Sequence, residues 1–121
     1  MNQIYVTKGR FGASLSFEIS ELGISKTYAT LLGFPVSVTV GRDRKCDILL
    51  DYSAVSRVQC TFKLNRKGEL YLEVPDITNF ILLNKNPLGK NNRYQLSDGD
   101  YLVIPLEAGS RLVLNIAWLK R

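Results

Sequence analysis

The dominant hydrophobic period in this chain is two, and a period of two admits strands and little else. Leu15, Phe17 and Ile19 alternate with Ser14, Ser16, Glu18 and Ser20. Val36, Val38 and Val40 alternate with Ser37 and Thr39, and Cys60, Phe62 and Leu64 alternate with Gln59, Thr61 and Lys63. Leu70, Leu72 and Val74 are spaced by Tyr71 and Glu73. The last run is the clearest: Leu112, Leu114, Ile116 and Trp118 face one way, and Arg111, Val113, Asn115 and Ala117 the other. Successive side chains of a strand point to opposite faces, so each run reads as a strand with one face in a core and one toward water.

Turn residues separate these runs. Asn65-Arg66-Lys67-Gly68 reads as a hairpin loop, and Asp98-Gly99 and Ala108-Gly109-Ser110 punctuate the C-terminal third. Asp98-Gly99-Asp100 is read as a turn and not a metal site, because no third carboxylate follows at calcium-loop spacing. Pro35, Pro75, Pro87 and Pro105 are expected at or near strand ends, where a missing N–H does least harm. Ile24, Tyr28, Leu31 and Leu32 have helical spacing, but Thr27, Tyr28 and Thr30 prefer strands, and a strand is the favoured reading. Many short strands without a long helix predict an all-β fold, an antiparallel β-sandwich.

At 121 residues the chain has room for one domain, residues 1–121, large enough to bury a core without a metal or disulfide. It contains no histidine, which removes His-based triads and imidazole zinc ligands. Its two cysteines, Cys46 and Cys60, cannot make a four-ligand zinc site and are read as small core residues. No cofactor or metal is expected. Met1 leads into polar residues, so no secretory leader is expected, and no apolar stretch approaches a membrane span. An intracellular protein with no membrane partner follows as the expectation, the nucleus being favoured over the cytoplasm in a eukaryote. The balance of 16 Lys+Arg against 11 Asp+Glu, a net +5, favours anionic partners, although a surplus this modest is common in ordinary soluble domains.

Three polar loops stand out. Gly41-Arg42-Asp43-Arg44-Lys45-Cys46-Asp47-Ile48 follows the valine strand. Ser53-Ala54-Val55-Ser56-Arg57-Val58-Gln59 precedes the cysteine strand, and Pro75-Asp76-Ile77-Thr78-Asn79-Phe80 follows the Leu70 strand. Loops between alternate strands of a sandwich collect at one end. Arg42, Ser56, Arg57, Thr78 and Asn79 would then share one patch. Arginine offers a rigid fork of donors that fits phosphate oxygens, hydroxyls add short donors, and asparagine both donates and accepts. Ser56, Thr78 and Asn79 equally suit turn capping, for the same hydrogen-bonding reason. Arg44 and Lys45 read as solvated, Gln59 as structural, and Trp118 and the tyrosines as packing residues.

The order Gly-Arg, Cys-Asp-Ile, Ser-Arg, Thr-Asn and a late Asp-Gly-Asp resembles a forkhead-associated (FHA) domain, over about Val36 to Trp118. The resemblance implies a β-sandwich of about 11 short strands, of the FHA/SMAD-like kind, with the first strands supplied by residues before Val36. It also implies a non-catalytic module that binds a threonine-phosphorylated protein and takes no small-molecule substrate. In that scheme Arg42 contacts peptide or phosphate, and Ser56 and Arg57 hold phosphate oxygens. Thr78 faces the phosphothreonine, Asn79 holds the peptide backbone, and Gly41 permits the turn that aims Arg42. The chain departs from the family pattern in having Gln59 where a bracing histidine is usual, and Phe80 where a glycine is usual.

Two other functions fit parts of the sequence. A phosphate-independent scaffold or dimerisation domain would keep the sandwich and bind through a sheet face. Nucleic-acid binding is disfavoured, because the aromatics sit at inward positions rather than among the lysines. An enzyme is not expected: no nucleophile–base pair can be built without histidine, and there is no phosphate-cradling glycine loop. Such modules are usually joined to something else, so the chain, with its basic end Lys120-Arg121, is expected to belong to a larger protein or complex.

Overall fold

The alternating runs do form strands, with their apolar members inward. The computed structural model describes residues 2–31 and 33–119, and everything below concerns these. In chain order the strands are β1 (Asn2–Lys8), β2 (Ala13–Ile19), β3 (Ile24–Ala29), β4 (Val36–Gly41), β5 (Ile48–Leu49) and β6 (Cys60–Leu64). They continue as β7 (Leu70–Val74), β8 (Leu82–Leu83), β9 (Asn86–Pro87), β10 (Asn92–Leu96), β11 (Tyr101–Glu107) and β12 (Ser110–Leu119). One 3-10 turn, Ser20–Leu22, sits between β2 and β3; Gly23 closes it with φ +66°, its N–H donating to Ser20 O.

The strands make two sheets, ordered β3-β2-β1-β12-β11-β8-β9 and β10-β7-β6-β4-β5. Neither is wholly antiparallel, contrary to the sequence expectation: β1 runs parallel to β12, and β4 parallel to β5. The ambiguous segment resolves as the edge strand β3, paired with β2 from Ile24 to Ala29; Leu32 lies outside the described residues. Tertiary pairing decides this, since Thr27 and Tyr28 find register partners in Ser16 and Leu15. Pro105 lies inside β11 rather than at its end. Its missing N–H is tolerated because β8 pairs only with Leu102 and Val103, so β11 is already an edge there.

The two inner faces share one core. Phe17 of β2 and Phe62 of β6 meet across it edge to face, with ring centroids 5.3 Å apart, and both are fully buried. Burying a side chain of this size stabilises the fold by about 1.5–3 kcal/mol. Cys60 belongs to this core, but Cys46 does not: it is half-buried in the loop after β4, a correction to the sequence reading. Its thiol donates to Arg57 O at 3.3 Å. The antiparallel pairing of β4, β6 and β7 defines two poles. One holds the end of β4, the start of β6 and the end of β7; the other holds the turns that precede or follow them.

Candidate functional site

All three polar loops leave from the first pole, and backbone hydrogen bonds lace two of them together. Gln59 N donates to Val40 O at 2.8 Å, Arg42 N to Ser56 O at 3.0 Å, and Asp43 N to Arg57 O at 3.1 Å. The segment before β6 therefore lies along the end of β4. Such contact leaves no room for a side chain at Gly41, where a Cβ would collide with Arg57 O and stand 2.9 Å from Val58 Cα. Close approach of backbones, and not a special turn conformation, is what requires glycine here, which corrects the role expected for it. Asp47 fixes the loop from behind: its carboxylate accepts from Thr39 N at 2.9 Å and Thr39 Oγ1 at 3.1 Å.

The second loop is tied down on both sides. Ala54 N donates to Leu106 O at 2.9 Å, and Val55 is buried. Gln59 is the sole fully buried polar residue among the described ones. Its Oε1 accepts from Ser56 N at 2.9 Å and from Asn79 Nδ2 at 3.1 Å, and its Nε2 donates to Asn79 Oδ1 at 2.9 Å. Asn79 Nδ2 also donates to Ala54 O. This reciprocal amide pair joins the second loop to the third, whose buried Ile77 and Ile81 anchor it to the core. Gln59 thus braces the loop with both ends of its amide.

The residues singled out in the sequence come together in one cleft of about 570 Å³. Arg42, Ser56, Arg57, Thr78 and Asn79 all line it, with Asp76 also on its wall. Arg42 is exposed and aimed by its own Nε, which donates to Val55 O at 3.0 Å, leaving the two terminal nitrogens free of that bond. Ser56 Oγ is buried with no hydrogen-bond partner among the described residues. Arg57 is 82% exposed, and its guanidinium pairs with the Asp43 carboxylate at 3.6 Å. The hydrogen bond from Lys45 N holds the Asp43 carboxyl below the usual carboxylate range; the Arg57 and Lys45 charges add to this, against some desolvation. Asn79 has both amide hydrogens committed within the protein, so its spare capacity is a lone pair on Oδ1. Phe80 is exposed and does not line the cleft.

Sequence reasoning missed Asp43 as the counter-ion of Arg57 and Asp76 as a negative charge on the rim. Asp43 and Arg57 are 14 positions apart, and only the lacing of the two loops makes them neighbours. The cleft combines two guanidinium groups, three hydroxyl-bearing residues (Ser53, Ser56 and Thr78) and a constrained backbone, which suits an anion with several acceptor oxygens. No group of three or more cysteine, aspartate or glutamate residues capable of holding a metal occurs among the described residues. Burial pushes the Cys46 and Cys60 thiols up, away from thiolate.

No curated protein matches the chain. Among solved structures, the N-terminal FHA domain of Rad53p from S. cerevisiae, in complex with a phosphothreonine peptide, is similar at 26% identity and a TM-score of 0.55. That match covers 66% of this chain and 68% of that one. An engineered FHA with Myc-pTBD peptide is similar at 23% identity and a TM-score of 0.60, covering 91% and 84%. The FHA domain of CT664 protein from Chlamydia trachomatis is similar at 18% identity and a TM-score of 0.60, covering 84% and 93%. The last two likenesses speak to the fold alone. The FHA domain family model matches residues 38–105, more than half of the sequence. The chain belongs to the FHA domain family.

Proposed function

We propose that this domain is a non-catalytic module that binds a threonine-phosphorylated segment of a partner protein in the cleft at the first pole, recruiting that partner after a kinase has acted. The observation that carries the reading is the convergence of Arg42, Ser56, Arg57, Thr78 and Asn79, drawn from three separate loops, on one cleft. A phosphate ester brings about −1.5 to −2 charges and three acceptor oxygens. The free ends of Arg42 and the exposed Arg57 would meet them, and the unpartnered Ser56 hydroxyl would gain an acceptor. A relative at 26% identity holds a phosphothreonine peptide, which supports the choice of ligand.

Hydrogen bonds to a charged group contribute about 1.5–3 kcal/mol each. Two or three of them, offset by the cost of ordering a flexible peptide, correspond to about micromolar affinity. The test is a degenerate phosphothreonine peptide library, followed by fluorescence anisotropy on the selected peptide with and without its phosphate. Arg42→Ala should weaken binding by about tenfold or more at unchanged melting temperature. Equal affinity for the phosphorylated and unmodified forms, or binding that survives joint replacement of Arg42, Ser56 and Arg57, would overturn the reading in favour of a phosphate-independent scaffold.

A further inference from the structure

The pole opposite the cleft is formed by three tight turns, each closed by its own backbone hydrogen bonds. Gly9 N donates to Gly12 O at 2.7 Å, Phe34 N to Leu31 O at 2.9 Å, and Gly68 N to Asn65 O at 3.0 Å. The turns touch one another. Thr30 N donates to Ala13 O, an Arg66 guanidinium nitrogen lies 3.7 Å from where a Cβ on Gly33 would sit, and the Lys8 chain packs beside Gly68. Two of the three turns carry apolar side chains in water: Phe11 on the first is 85% exposed, and Phe34 and Leu31 on the second 71% and 70%, the three most exposed large hydrophobic residues described. Lys8, Arg10, Phe11, Arg66 and Lys67 surround a shallow depression of about 410 Å³. None of these four cations is in an ion pair among the described residues. No carboxylate lines the depression among the described residues.

Burial explains neither feature. Three large apolar side chains on two adjacent turns, with four cations lacking ion pairs around Phe11, are a costly way to end a sandwich in water. We propose that this pole docks on a bilayer surface carrying anionic lipids, with Phe11, Leu31 and Phe34 entering the headgroup region and the four cations meeting lipid charges. The aliphatic Leu31 beside Phe34 favours a bilayer over a single-stranded nucleic acid, whose bases stack on aromatic faces. Each Lys or Arg near such a surface strengthens attachment by about fivefold, and the long basic side chains can reach headgroups while the rings sit deeper. Strands of five to seven residues separate the poles, so a docked domain would hold its cleft away from the membrane. This departs from the membrane-free partner expected from the sequence, because the apolar and basic residues lie in three separate segments that only the fold assembles, Phe11 with Arg10, Leu31 with Phe34, and Arg66 with Lys67.

Co-sedimentation of the full chain with vesicles of phosphatidylserine and phosphatidylcholine, against phosphatidylcholine alone, tests this. The expected result is salt-sensitive binding to the phosphatidylserine vesicles only, weakened at least tenfold by Phe11→Ser with Phe34→Ser and about 25-fold by Arg10→Ala with Arg66→Ala. Both pairs are exposed, so an unchanged melting temperature shows that the variants fold. Three results would overturn the proposal: no binding to phosphatidylserine vesicles, serine variants that bind like the parent, or tighter binding to a single-stranded oligonucleotide than to the vesicles. A dimer in sedimentation equilibrium that the serine pair dissolves, without vesicle binding, would assign the surface to a second copy instead.

Discussion

Replacing Gln59 by methionine removes an amide while nearly preserving length and volume, so it isolates the hydrogen bonds that tie two loops of the cleft together. Gln59 is fully buried, and the substitution leaves Ser56 N–H and Asn79 Oδ1 without their present partners. Asn79 Nδ2 keeps its bond to Ala54 O, so its loss is partial. An orphaned buried donor or acceptor costs about 1–3 kcal/mol, which puts Gln59→Met at about 3 kcal/mol for the two groups. Unfolding entropy of about 2.1 cal/mol/K per residue gives about 0.25 kcal/mol/K for a chain of this length, hence a melting temperature lower by about 12 °C. Differential scanning calorimetry reads this directly. Urea denaturation should show a lower midpoint at unchanged slope, because the surface exposed on unfolding is the same. A variant that melts within about 2 °C of the parent would refute the argument that the amide pair braces the loops.

Other substitutions probe separate links. Gly41→Ala drives a Cβ into the backbone of Arg57 and Val58 and should cost about 2 kcal/mol or more in chemical denaturation; a neutral result would mean the lacing of the loops yields easily. Phe62→Ala empties the centre of the core where Phe62 meets Phe17 and should cost about 3–5 kcal/mol by urea denaturation. Arg57→Ala should raise the Asp43 carboxyl part of the way toward its ordinary value in an NMR titration, the bond from Lys45 N holding the remainder. Because the folded-state value is depressed, any stability from Asp43 is present above the unfolded carboxylate pKa. It disappears as pH falls through the lower folded value. An Asp43 titration indifferent to Arg57 would remove that pairing from the description of the site.

The alternating runs made β2, β4, β6, β7 and β12 legible, because a half-buried strand writes its burial pattern into every second residue. Apart from β1, where Ile4 and Val6 alternate with Tyr5 and Thr7, the strands that were not legible lack that pattern. In β11, Leu102, Val103 and Ile104 are buried consecutively; β10 is mostly exposed; β5, β8 and β9 are two residues long. Parallel pairing of β1 with β12 joins the two ends of the sequence and has no local signature at all.

For the site, the sequence alone determined residue chemistry and order: guanidinium groups, hydroxyls and an amide on loops between strands, with glycine beside the first arginine. The fold alone decided which of these meet and how they are spent. It placed Asn79 in an amide pair with Gln59, gave Arg57 a counter-ion, left the Ser56 hydroxyl unpartnered and brought three exposed apolar side chains from two turns to the far pole. The reason is range. Side-chain alternation and turn chemistry act over a few residues, whereas hydrogen bonds between loops 14 to 25 positions apart exist only once the sheets have fixed their strand ends.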